Sequence, residues 1–289
     1  MEEEVKVSEL PIATDVNDED LVMVVQDGFN KQVTKEIFLK SVLSLTDNSG
    51  FHNSIYRGKD ITDLFYDGTL SQQIAAGTFD DIYIGDYIIG QNSGRKYLVA
   101  DINYYLHSGD TECTTNHVLM IPERTMGKAQ MNTTNTTTGA YIGSAMYTNN
   151  LTTAKTTIKN DFGTNHILTH RNYFANAVTN NYESGGVWTN SDIDLMNEIM
   201  VFGSNIFHNV VNQGTVPSGN ITLDNSQLAL FRYKKDLMPG INENGGRQIW
   251  WLRDVINGSN FAIVHGFGNT GFTGAANSDI AVRPSFLVY

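Results

Sequence analysis

Trp250-Trp251-Leu252-Arg253-Asp254, Phe261-Ala262-Ile263-Val264 and Val282-Arg283-Pro284-Ser285-Phe286-Leu287-Val288-Tyr289 are three apolar runs whose reading decides the fold. Asn257-Gly258-Ser259-Asn260 and Gly266-Phe267-Gly268-Asn269-Thr270-Gly271 interrupt them. Glycine and asparagine between short runs rich in branched and aromatic residues predict strands joined by tight turns. Strand alternation sends Trp250 and Trp251 to opposite faces, one into the core and the other over a second layer. Arg253 and Arg283 stand among bulky apolar neighbours and need acceptors, because an unpaired buried charge is very costly. The planar fork of arginine suits a carboxylate or several carbonyls. Both are expected to pin strand ends and loops, with direct ligand binding as the alternative. The last run reaches Tyr289 without a polar tail, which predicts a final strand held in a sheet.

The 289 residues allow one large domain or two smaller ones, with a sizeable core. Charged residues are 17% of the chain, against about 25% in ordinary soluble domains. Asn, Thr, Ser and Gly carry the polar load instead, a composition that fits many turns and few long helices. The net charge is −12, and no basic cluster marks a nucleic-acid partner. Cys113 is the only cysteine, so no internal disulfide forms. No apolar run is long enough to span a membrane. The start Met1-Glu2-Glu3-Glu4 is acidic where a signal peptide is basic, which predicts synthesis in a cytoplasm without export by that route.

From the N-terminus, Leu10-Pro11 is extended, because proline disfavours helix at the residue before it. The run 21–26 reads as a strand, Asp27-Gly28 as a hairpin turn and 31–34 as the returning strand. Thr34 then caps a helix with Ile37, Phe38, Val42 and Leu45 on one face. Residues 46–74 read as a linker with short helices at 60–66 and 69–76. Strands follow at 79–89, 97–102 and 118–122. A helix is expected over 149–162, stopped by Gly163. A second is expected from Asn190 or Ser191, with Ile193, Met196 and Met200 inward and Gly203 as its end. Residues 227–233 read as a strand and 236–246 as a loop.

Two sets of residues carry a resemblance. From Val7 to about Phe38, the order Ser8-Glu9-Leu10-Pro11, Leu21, Val24-Val25-Gln26-Asp27-Gly28, Lys31 and Val33-Thr34 resembles the N-terminal module of bacteriophage tail and head fibres. Over most of 75–289, Ile82-Tyr83-Ile84-Gly85-Asp86-Tyr87, His117-Val118-Leu119-Met120-Ile121-Pro122, Tyr141-Ile142-Gly143-Ser144 and the closing runs resemble a domain common in phage structural proteins. That domain is similar in pattern to C-type-lectin-like folds. The resemblance implies a virion protein attached to the particle by its first module. It also implies trimers, since a unit of about forty residues buries too little apolar area to stand alone.

Constellations for chemistry are sparse. Asp101, His107, Asp110 and His117 offer nitrogen and oxygen donors without a zinc spacing. His166 and His170 are four apart without the glutamate of a metalloprotease motif. Cys113 has only His117 nearby in sequence as an activating base. Asp80-Asp81 and Asp192 with Asp194 are carboxylate pairs of the kind that cut polysaccharide only when they face across a cleft. Asp194 is expected in the first turn of a helix.

The expected fold is therefore α+β and β-rich. Residues 1–45 form a small hairpin and helix anchor, 46–74 a linker, and 75–289 a mixed α+β distal domain, C-type-lectin-like in pattern. The expected function is that of a bacteriophage virion structural protein, a short fibre or appendage subunit. It would be made in the host cytoplasm, attached through Leu10, Pro11, Leu21, Val24, Gly28 and Val33, and bound to tail, collar or capsid proteins and to itself as a homotrimer. The distal domain would bind a host glycan or protein through Asn257, Asn260, Phe267, Asn269 and Phe272, where aromatic faces and amides give adaptable contact. No catalytic residue, metal or cofactor, nucleic acid or membrane insertion is expected. An adaptor or capsid decoration without a receptor is the alternative, and a polysaccharide-cleaving tail spike the one after it.

Overall fold

The computed structural model describes residues 21–26, 29–34, 48–175, 178–179, 182–183, 186–204, 206 and 226–289. The chain divides into two compact units, Met1–Phe51 and His52–Tyr289. In the first, the strands Leu21–Gln26 and Phe29–Thr34 pair antiparallel, with Leu21 opposite Thr34 and Gln26 opposite Phe29. The hairpin expected there is present. Its Asp27-Gly28 turn and the helix expected after Thr34 lie outside the described residues.

The second unit is α+β and β-rich, built on two five-stranded sheets. The first runs in the order Ile193–Leu195, Pro284–Val288, Val118–Pro122, Lys96–Ile102, Tyr87–Ile89, antiparallel throughout. The closing strand thus lies inside this sheet, with Phe286 opposite both Met120 and Ile193. The second runs Thr270–Ala275, Asn260–Val264, Trp250–Val255, Ile280–Ala281, Lys128–Ala129. All its pairs are antiparallel except Trp250–Val255 with Ile280–Ala281. Val118–Pro122 and Pro284–Val288 are buried along their whole length. Strands buried on both faces read as continuous apolar runs, which is why they were legible in sequence.

Alternation along Trp250–Val255 has the predicted effect. Trp250 joins a core cluster with Tyr97, Phe231, Leu252 and Phe286, while Trp251 joins another with Met131, Tyr141, Phe174 and Phe261. Each indole N–H is satisfied: Trp250 donates to the Met238 carbonyl at 2.9 Å and Trp251 to the Ala129 carbonyl at 2.8 Å. Neither tryptophan is exposed, so both are core residues of adjoining layers.

The helix Thr152–Phe162 sinks Ala154, Ile158 and Phe162 and ends at Gly163, whose φ of 81° suits glycine. Its buried Asp161 accepts from Ser93 N at 2.8 Å and from the Tyr97 hydroxyl at 2.7 Å, tying the 90–94 turn to the helix end.

Three expectations are corrected. Residues 52–74 are no linker. Ile61, Phe65, Leu70 and Ile74, on or beside the helices Thr62–Tyr66 and Thr69–Ala76, enter the core of the second unit. Arg57 grips the buried Asp86 carboxylate, Nε to Oδ1 at 3.1 Å and Nη2 to Oδ2 at 2.6 Å, and Lys59 N donates to the same group at 2.8 Å. The domain boundary therefore falls at 51/52, not 74/75.

Residues 190–200 do not form one helix either. Gly186–Ser191 and Ile193–Leu195 are strands, and only Glu198–Phe202 is helical, capped by the Asn197 side chain that accepts from Met200 N at 2.8 Å. Asp194 thus sits on a strand. The 227–233 segment, expected as a strand, holds the helix Ala229–Tyr233.

Candidate functional site

The two arginines singled out in the sequence are structural pins. Arg283 is fully buried. Its Nε donates to the Pro122 carbonyl at 3.0 Å, Nη1 to that of Leu237 at 2.7 Å and Nη2 to that of Glu123 at 3.4 Å. Burial lowers its pKa to about 10, which still leaves it charged at neutral pH. Arg253 donates to the Leu195 carbonyl at 2.9 Å and lies over the Phe174 ring at 5.0 Å. Strand ends and loops from distant parts of the chain meet on these two forks.

The polar groups considered for chemistry are dispersed. Buried His117 accepts from Tyr105 N at Nε2 (3.0 Å) and donates from Nδ1 to the Thr115 carbonyl at 2.9 Å. Since a backbone N–H must find an acceptor at Nε2, the neutral Nδ1–H tautomer is fixed, and burial lowers the pKa to about 4. His107 instead pairs with Glu112 at 2.6 Å and Asp110 with Arg171. Asp101 accepts from Ile102 N and from Ala229 N, each at 2.9 Å, and desolvation raises its pKa to about 6. No group of three or more His, Cys, Asp or Glu poised for a metal occurs among the described residues. The Cys113 thiol is pushed up by burial and points to the Thr115 carbonyl.

Asp81 is claimed by Gln73 at 2.8 Å. Asp192 is held by Lys159 at 2.6 Å and Lys155 at 2.9 Å. Fully buried Asp194 accepts from Ser191 Oγ at 2.5 Å and from the Tyr141 hydroxyl at 3.0 Å, and desolvation raises its pKa. Asp192 and Asp194 are thus bound into the packing and line no open catalytic cleft as a pair.

The turns between the closing strands differ from each other. In the first, Asn257 Oδ1 accepts from Ser259 N at 2.9 Å, while the Asn257 and Gly258 carbonyls accept from Thr137. Asn257 and Asn260 are half-buried and serve the turn itself. In the second, His265 N donates to the Asn269 carbonyl at 2.9 Å and Gly268 N to the His265 carbonyl at 2.8 Å. Gly268 has φ 82°, and a Cβ there would sit 3.0 Å from Pro239, so the turn is backed by that ring. On this locked support Phe267 is 76% exposed, the most exposed large apolar side chain among the described residues. Its ring lies 5.0 Å from the His265 ring, tilted 35°. Asn269 is exposed beside it. The side chain of Phe272 lies outside the described residues.

Of the residues expected to attach the chain to a particle, Leu21 is 55% exposed and Val33 half-buried. Val24 is on the first hairpin strand. Leu10, Pro11 and Gly28 lie outside the described residues. Phe29, which the sequence reading passed over, is 71% exposed at the start of the second strand. No helix among the described residues is long and apolar enough to cross a membrane. Compared with known protein families, curated proteins and solved structures, the chain matches none.

Proposed function

We propose that this chain is a bacteriophage virion protein, a short fibre or appendage subunit, whose second unit binds a host surface glycan or protein. The observation that carries the reading is Phe267. A large aromatic ring left 76% in water on a turn locked by two backbone hydrogen bonds loses burial that a core position would give it. Rigid aromatic anchors flanked by amides are the pattern of binding surfaces, because they give contact area at small cost in side-chain entropy. His265 and Asn269 complete the tip.

Under the same reading the second unit is C-type-lectin-like, and the first unit attaches to another virion protein and to its own copies as a trimer. Exposed Leu21 and Phe29 on a two-stranded hairpin support that attachment, since an isolated hairpin is at best marginally stable in water.

The test is adsorption. Purified chain is expected to bind host cells and to compete with intact particles, and Phe267→Ala to weaken the competition about tenfold or more. Competition that is absent at saturating protein, or unchanged in Phe267→Ala, overturns the reading.

A further inference from the structure

A concave feature elsewhere shares no residue with the 265–269 tip. It is a cleft of about 460 Å3 between the 111–115 segment and the start of the strand His170–Ala175. That volume falls in the range of about 300–1,000 Å3 typical of small-molecule sites.

The wall of the cleft is specially built. Gly109 has φ 110°, and a Cβ there would lie 2.5 Å from the Thr111 carbonyl oxygen and 3.1 Å from Arg171 Cβ, so only glycine allows the loop to close on the strand. His107 holds a left-handed φ of 60°. The loop is then cross-tied by His107 N to the Cys113 carbonyl and Cys113 N to the Ser108 carbonyl, both at 2.8 Å. Strained backbone held this firmly marks functional loops more often than simple connections.

The lining is rich in hydroxyl groups, with the Asn190 amide among them. Arg171 is fixed across one side by a two-point pair to Asp110, Nε to Oδ1 at 2.7 Å and Nη2 to Oδ2 at 2.9 Å. Its Nη1 donates to Asn190 Oδ1 at 3.1 Å, which presets the Asn190 amide. Asp110 cancels the guanidinium charge, and the Glu112 carboxylate, bonded to His107, leaves the rim unfavourable to an anion. Exposed Thr111, Thr114, Thr115 and Thr169 place hydroxyls around the rim.

Behind the lining lies His170, only 8% exposed, its ring 4.2 Å from that of Tyr105 and both ring nitrogens closed to solvent. Neither of its ring nitrogens has a hydrogen-bond partner among the described residues. Desolvation and the neighbouring His117 and Arg253 lower its pKa to about 3, so it is neutral at pH 7. A neutral imidazole donates from one nitrogen and accepts at the other, and a buried polar group left without partners is costly. The ring also borders an internal void of about 10 Å3 with Asp194 and Arg253, room for a single water.

We infer that the cleft binds one neutral, hydroxyl-rich ring, such as a terminal hexose, with Asn190, Arg171 and the threonine hydroxyls gripping its edge. A single ring held by a few hydrogen bonds gives a Kd on the order of 1 mM. The inference does not depend on the virion reading: failure here leaves the adsorption result untouched, and failure of adsorption leaves this site standing.

The experiment is saturation-transfer NMR on the full chain with glucose, galactose, mannose and N-acetylglucosamine, and with glucuronate as the charged control. At least one neutral sugar is expected to show transfer, stronger than glucuronate does. Thr169→Val and Asn190→Ala, both at exposed positions, are expected to weaken it about tenfold with the melting temperature unchanged. His170→Phe keeps the ring contact with Tyr105 and removes only nitrogens closed to the cleft, so it is the control and is expected to keep the transfer. No transfer from any neutral sugar, glucuronate equal to or better than the neutral sugars, or transfer unchanged in Thr169→Val and Asn190→Ala overturns the site. A folded His170→Phe that loses transfer as the rim variants do also overturns the site; if that variant does not fold, the two rim variants decide.

Discussion

The guanidinium of Arg283 lies 5.4 Å from the centre of the Trp250 ring, and both side chains are fully buried. The same guanidinium holds the carbonyls of Pro122, Leu237 and Glu123. One side chain thus joins the end of the Val118–Pro122 strand to the 235–237 turn and stacks on the anchor of the second sheet. Arg283→Leu leaves three carbonyls short of donors and is expected to cost about 3–5 kcal/mol of stability. Arg283→Lys keeps the charge but cannot reproduce the fork, and is expected to cost less than the leucine. Urea unfolding of the three proteins checks this; a leucine variant as stable as the parent refutes it.

Gly274 faces the other tryptophan. A Cβ at this position would run into the Trp251 ring, which donates to the Ala129 carbonyl. Gly274→Ala is expected to destabilise by about 1–3 kcal/mol through overpacking. Adding Trp251→Leu makes room, so the double variant should lose less than the sum of the single losses. Strict additivity in the cycle contradicts the contact.

The stability of the second unit should fall in mild acid. His117 and His170 titrate near 4 and 3 in the fold, against about 6.5 in an unfolded chain. As pH drops below 6.5 the unfolded chain takes up protons that the fold refuses, so stability present at pH 7 is lost toward pH 4. Asp101 acts the other way. Its pKa is raised to about 6, so the fold binds its proton before the unfolded chain does, and stability is gained between pH 6 and 4. Asp194, raised as well, adds to that gain, while His52, lowered by burial, adds to the loss; three imidazoles against two carboxylates leave a net loss. Melting temperatures at pH 7 and pH 5 check the sign. His170→Phe should flatten the slope, and a slope equal to the parent's refutes the assignment.

Phe267→Ala should separate binding from folding. The side chain is 76% exposed, so its removal is expected to change stability by less than about 0.5 kcal/mol while weakening attachment to cells. A large drop in melting temperature would show that the ring supports the fold instead.

Much of this architecture was legible where local pattern and tertiary burial agree. Val118–Pro122, Trp250–Val255 and Pro284–Val288 are apolar for most of their length and buried throughout. Gly163 stops its helix through a backbone angle that glycine favours. Failures came where a distant partner chose the structure. Ile193, Met196 and Met200 have helical spacing, yet Ile193–Leu195 pairs with the closing strand, which outweighs the weak local preference.

In the Ala229–Tyr233 segment Phe231 and Tyr233 favour a strand, but Ala229, Leu230 and Arg232 favour helix, and Asp101 receives the Ala229 N–H at its helix start, a contact spanning 128 residues. The supposed linker hid Arg57, whose partner Asp86 lies 29 residues on. At the tip, sequence placed Phe267 on a turn but left open whether it points inward. The cleft beside His170 had no sequence signal beyond the histidine itself, because its wall depends on the fit of Gly109 against Arg171.

The most direct test of the receptor-binding account is a density map of the assembled particle. It predicts residues 52–289 at a solvent-facing end with the 265–269 turn outward, and residues 1–51 packed against another virion protein or sister copies. A map that buries the 265–269 turn in an interface between virion proteins would contradict it and make this chain an adaptor or decoration.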